Sequence, residues 1–271
     1  VAQQGSRWLL ACALWAGLVP LGSQASERGA DGRYDERRSS HFVLLQDVDL
    51  DRRSGWRGSR RFELEVLAVL ESAHHDLGAR LGLELARPVE VVVHDPGVFD
   101  GRFASLFRFP AGGFYGGSIQ VRGDVQVTWL LERTLRHELV HAAFDQASRS
   151  LVLPGWINEG TAEWFEQRSL GKRHPTPAEY AVLRQAAAGG ALPSVGQLSV
   201  GAFGHLPPER AHLAYLESYA LVVLLVQERG EDRYARFLRD VIRLRNLDAA
   251  LRRHYRMDPQ DLDEALRGSL R

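Results

Sequence analysis

The first long pattern along the chain is helical. Between Phe62 and Leu83 the apolar residues Phe62, Val66, Val69, Leu70, Ala73, Leu77 and Leu81 recur three or four positions apart, which places them on one face of a helix. Short apolar runs flank it. His41 to Gln46 reads as a strand, and the valine-rich run Val89 to Val93 starts after Pro88 and closes at the turn signal Asp95-Pro96-Gly97. The opening unit is therefore strand–helix–strand. Ala111 to Gly117 is glycine-rich, and Ser118 to Val121 resumes β character; glycine pairs around a short strand signal a turn or close approach by another backbone. A phosphate cradle is excluded there, because no Gly-Lys-Ser/Thr follows and no helix opens at the last glycine.

From Val127 to about Gln146 the periodicity is again helical, with Trp129, Leu130, Thr134, Leu135, Leu139, Ala142 and Ala143 as the expected apolar side. Pro154-Gly155 breaks it, and a second helix is expected from about Ile157 to Ser169. A short helix from about Pro177 to Ala188 lies between Gly- and Pro-rich loops. Three more helices follow: Pro208 to Glu228, Asp232 to about Leu244, and one opened by the cap and proline of Asp258-Pro259. The pattern predicts an α+β protein, one domain over 41–271, with an α/β lobe at 41–150 and a helical lobe at 151–271.

Ahead of this domain the chain changes character. Arg7 precedes an apolar run from Trp8 to Leu21, and Ser23-Gln24-Ala25 supplies small residues at a cleavage position. That order is a secretory signal peptide over 1–25, followed by a polar linker over 26–40, and it predicts a secreted or periplasmic protein. The apolar run is about 14 residues, short of the roughly 20 a membrane span needs, so no stable membrane insertion is expected after signal removal. The single cysteine, Cys12, falls inside the signal, which leaves neither a disulfide nor a thiol nucleophile to the mature chain. Lys+Arg and Asp+Glu both number 34, so no net field attracts nucleic acid, and the arginines of the last helices read as solvated faces.

Against that neutral background one helix carries chemistry. His137-Glu138-Leu139-Val140-His141 lies within 127–146, and residues four apart on a helix stand about 6 Å apart along its axis and roughly 40° apart around it. Both imidazoles can reach one Zn²⁺, with Glu138 beside an open coordination position. A catalytic zinc needs a third protein donor. Trp156-Ile157-Asn158-Glu159-Gly160-Thr161-Ala162-Glu163 supplies one in Glu159, at the start of a helix that a short connection packs antiparallel to the first. Glu163, one turn on, is expected to accept the remaining ring N–H of a ligand histidine, with Glu166 competing for that role. The other histidines, among them His41, His74, His75, His94 and His254, fall in no ligand spacing with one another.

His-Glu-x-x-His followed by Asn-Glu-Gly-x-Ala-Glu resembles the gluzincin metallopeptidases, the group that includes thermolysin, and most closely their small bacterial peptidase MA-like domains. The resemblance implies a zincin-like fold and a peptidase holding one Zn²⁺ per chain on His137, His141 and Glu159. It makes Glu138 the general base and a peptide or protein the substrate. It also implies that the edge strand ahead of the metal helix, at Gly113, Phe114 and Tyr115, pairs with the substrate backbone. A tyrosine stabilising the reaction is implied as well: Tyr215 aligns best, with Tyr219 and His212 as alternatives. The acidic residue by which related aminopeptidases hold a substrate amino group is missing from Ala111 to Tyr115, which favours endopeptidase action. The competing expectation is a zinc-containing module of the cell envelope that binds peptide or glycan without hydrolysis.

Overall fold

The computed structural model describes residues 34–48, 58–148 and 151–271; the expected signal peptide lies outside the described residues. A five-stranded mixed sheet forms from β1 (Asp35–Arg38), β2 (Phe42–Gln46), β3 (Val89–His94), β4 (Gly113–Tyr115) and β5 (Ile119–Arg122). Its spatial order is β1-β2-β3-β5-β4, with β2, β3 and β5 parallel and the two outer strands antiparallel to their neighbours. Helix α1 (Gly58–Leu81) makes the crossover between the parallel strands β2 and β3, as such a connection requires. It ends where Gly82 takes φ +63°, a left-handed conformation that glycine adopts without strain.

Two expectations are corrected here. The linker reading of 26–40 fails at Asp35–Arg38, whose Asp-Glu-Arg-Arg sequence shows no apolar alternation; backbone pairing with β2 alone makes it a strand. The turn at Asp95-Pro96-Gly97 continues into a short helix, α2 (Pro96–Phe103).

The remaining helices are α3 (Trp129–Ser148), α4 (Gly155–Ser169), α5 (Pro177–Ala188), α6 (Pro208–Arg229), α7 (Glu231–Leu244), α8 (Leu247–Tyr255) and α9 (Pro259–Ser269). Sequence periodicity overlooks α8, although Asn246 caps it by accepting from the Ala249 N–H. Helix α3 packs on the sheet at β4 and β5 and on α1, then α4 packs on α3 and α6 on α4. One apolar core runs through both halves, from Phe42 and Leu44 through Leu139 and Trp156 to Phe237 and Leu266. Helix α3 is buried continuously from Thr134 to Phe144, whereas Trp129 and Leu130, expected on its apolar side, are exposed. Among the described residues no helix is long and apolar enough to cross a membrane.

One carboxyl sits in the core at a cost. Glu217 on α6 is 1% exposed and neither carboxylate oxygen has a hydrogen-bond partner. Burial pushes its pKa up to about 8, with Arg267 pulling it down and Asp263 pushing it further up. A carboxyl raised in the folded state stabilises fully below its unfolded value, and that contribution is lost as pH rises through about 8. Glu217→Gln, uncharged at every pH, is therefore expected to match the wild type near pH 4 and to exceed its stability by roughly 3–5 kcal/mol at pH 9. Urea unfolding at the two pH values measures the gap; a gap that does not widen with pH contradicts the assignment.

Candidate metal centre

The antiparallel packing of α3 against α4 assembles the site. His141 lies opposite Asn158 at the start of α4, and His137 lies opposite Glu166 two turns further along it. Between these contacts Glu159 points at both rings. Its Oε2 stands 3.5 Å from His137 Nε2 and 3.5 Å from His141 Nε2, and the ring centroids are 4.9 Å apart. All three side chains are no more than 1% exposed.

The donors suit a metal ion on two grounds. Both Nε2 atoms and both Glu159 oxygens are buried without a hydrogen-bond partner, an arrangement that proteins rarely leave uncompensated. Their spacing fits as well: ligands about 2.0–2.1 Å from a tetrahedral zinc are about 3.3–3.5 Å from one another. Two imidazoles and a carboxylate are a common catalytic zinc set, leaving the fourth position open.

The outer contacts fix which nitrogen faces the centre. His137 Nδ1 is 3.3 Å from Glu166 Oε2, and His141 Nδ1 is 3.1 Å from Asn158 Oδ1. Burial pushes the Glu166 carboxyl up, but its bond to His137 and the Arg133 guanidinium outweigh that and hold it below the usual range. An ionised carboxylate only accepts, so Nδ1 carries the proton and the Nε2 lone pair is turned inward. Arg133 secures Glu166 through both Nε, at 3.0 Å, and Nη2, and Gln167 donates to it at 3.0 Å. Burial likewise opposes ionisation of Glu159, yet the two histidines keep its pKa low. Burial disfavours a charged His137, but Glu159 and Glu166 together raise its pKa well above the ordinary value.

This corrects the expectation for Glu163. The carboxylate bonded to His137 is Glu166; Glu163 is half-buried nearby, and burial, then the charge of Glu166, pushes it to about 8. Glu166→Gln, which keeps the shape but weakens the acceptor, is expected to lower zinc affinity about 10–100-fold. Competition with a chromophoric chelator reads that loss directly.

Residues 79–271 match the family described as the peptidase MA superfamily, which covers the whole of this centre. The chain belongs to the peptidase MA superfamily. No curated protein matches the sequence. Within this peptidase MA domain Glu138 is fully buried between the two histidines on α3. Strand β4 is one edge of the sheet, and it is pressed onto α3 just ahead of the histidines: a Cβ on Gly113 would lie 2.7 Å from Thr134 Cγ2 and 2.8 Å from the Gln120 carbonyl oxygen. Phe114 faces the opposite side, near Phe103 and Phe107. Tyr115 is buried and its hydroxyl donates to Asp145 at 2.8 Å, so only its main chain is available at the edge. Tyr215 is also buried, its ring edge-on to Phe109 in the segment leading to β4 and to Phe203 ahead of α6. The Tyr219 hydroxyl is buried without a partner, while Lys172 caps its ring.

Proposed function

We propose that the protein is a zinc-dependent peptidase acting as an endopeptidase, with His137, His141 and Glu159 holding the metal. The observation that carries this reading is the convergence of unpartnered, buried Nε2 and carboxylate atoms at zinc-ligand spacing. A zinc ion bound there would polarise the scissile carbonyl and acidify a water molecule. Glu138 would take a proton from the attacking water and later deliver it to the leaving amine, as general base and general acid in turn. Glu166 and Asn158 keep both imidazoles in the ligating tautomer throughout. The free edge of β4 offers main-chain groups to an extended peptide, and Gly113 lets that edge lie close to α3. Tyr215, beside the segment leading into that edge, is the residue we assign to the developing oxyanion.

We further propose secretion or a periplasmic location, carried by the Arg7–Ala25 pattern alone; N-terminal sequencing of the exported protein tests it. For the peptidase reading, the expected result is hydrolysis of an unstructured protein such as casein, with internal cleavages seen by mass spectrometry. Chelation should abolish it and stoichiometric zinc restore it. Purified protein that binds zinc and cleaves no member of a broad peptide library would overturn the reading.

A further inference from the structure

Two histidines that stand in no ligand spacing with each other meet a glutamate on the α/β lobe. His41 immediately precedes β2, and Glu71 and His74 lie one turn apart on α1, which crosses back over that strand. Glu71 and His74 precede the stretch matched by the family, as does His41. His41 Nδ1 and Glu71 Oε2 are 2.7 Å apart, and the His41 and His74 rings are 4.0 Å apart, tilted by 34°. One nitrogen of each ring and one carboxylate oxygen lie within 4.8 Å of one another.

We infer that His41, Glu71 and His74 form a second metal site, for a first-row transition dication such as Zn²⁺, separate from the candidate centre on α3 and α4. The donor set is two imidazoles and one carboxylate, which suits such ions and does not suit the all-oxygen preference of Mg²⁺ or Ca²⁺. The side chains are held in advance. The His41 carbonyl accepts from the Val89 N–H at 2.9 Å, fixing His41 against β3, and the His41 N–H donates to Glu71 Oε1 at 2.9 Å. His74 Nε2 accepts from a backbone N–H, so the ring has a lone pair to offer. The hydrogen bond joins only His41 and Glu71, with the His74 ring tilted against that of His41; a dication engages all three at once.

Partial exposure sets the character of this site. His41 and Glu71 side chains are 39% and 29% exposed, so an ion can enter directly from solvent and retains water ligands. One existing contact competes with it: the Leu85 N–H donates to His74 Nε2 over 3.3 Å. Ligation through Nδ1 moves the ring proton to Nε2 and ends that bond, and ligation through Nε2 displaces it. Either way the site binds more weakly than the buried one, and the Leu85 amide reports its filling. The bound ion ties the start of β2 to α1.

The test is calorimetric titration of the full protein, already carrying one equivalent of zinc, with ZnCl₂ at pH 7.5. A second equivalent is expected in the wild type. His41→Gln and His74→Gln should remove it, Glu71→Gln should weaken it at least tenfold, and His75→Gln, on the exposed neighbouring position, should leave it unchanged. Circular dichroism confirms that each variant is folded. The Leu85 amide resonance should move with the second equivalent and stay fixed in His74→Gln. Proton competition should abolish the second binding by pH 5.5. If the centre on α3 and α4 binds nothing, a single equivalent that survives His137→Ala and disappears in His74→Gln still supports this site. No zinc lost on substituting any of these three residues, or a second equivalent indifferent to them, shows an adventitious ion only and overturns the inference.

Discussion

Replacing Glu138 by glutamine is expected to leave one zinc in the α3–α4 centre and to lower peptide hydrolysis by about 10²–10⁴-fold, the range over which a general base contributes. The expectation rests on separating holding from reacting. The group that could hold the metal is His137, His141 and Glu159; Glu138 stands outside it. Glutamine fills almost the same volume, so a side chain that is 0% exposed is exchanged without cavity or overpacking. What disappears is the ability to take a proton from water and give it back to the leaving amine. Zinc content and kcat are therefore predicted to part company: metal near one per chain, kcat reduced, KM for a peptide changed little. If zinc leaves together with activity, Glu138 is a ligand. If activity stays, the base is another residue and the assignment is wrong.

The convergence of His137, His141 and Glu159 was legible in the sequence because helix geometry turns a spacing of four into a shared face, and because two helices joined by a short connection pack antiparallel. Their outer partner was not. Counting one turn from Glu159 selects Glu163, some 40° round the helix, but two turns select Glu166 at about 20° in the other direction. Position along α4 decides between them, and antiparallel packing carries Glu166 to the level of His137 and to Arg133, one turn before it on α3. Arg133 was the available signal, since a buried carboxylate needs a countercharge. Asn158 was hidden differently: neighbours on a helix ordinarily diverge, yet in the first turn of α4 both Asn158 and Glu159 reach α3. Strand β1 and the pair of residues His41 and His74 were beyond periodicity altogether, because pairing with β2 creates the first and a crossover helix brings together the second.

Gly160→Ala is expected to destabilise the protein by about 1–3 kcal/mol and to weaken zinc binding at least tenfold, even though alanine is the better helix former by about 1 kcal/mol. Gly160 lies inside α4, next to the proposed ligand Glu159, where α4 crosses α6. A Cβ there would stand 2.4 Å from the Ser218 carbonyl oxygen, 2.7 Å from the Ser218 carbonyl carbon and 3.0 Å from Val222 Cγ2. The first two are backbone atoms of a buried helix and cannot rotate away, so α4 and α6 must separate. Glu159 moves with α4, and its Oε2 is 3.5 Å from each of two imidazoles that α3 holds in place. A displacement of some tenths of an ångström already spoils a three-ligand set at that spacing. Gly101, inside α2, supplies the contrast: nothing lies within 4 Å of its Cβ position, so the same substitution is expected to stabilise by up to about 1 kcal/mol. Thermal unfolding and zinc competition of the two variants decide the matter. Gly160→Ala unfolding no earlier than the wild type, with zinc affinity intact, would mean that the helix crossing tolerates a methyl group and that Glu159 is positioned by something other than the close approach of α4 to α6.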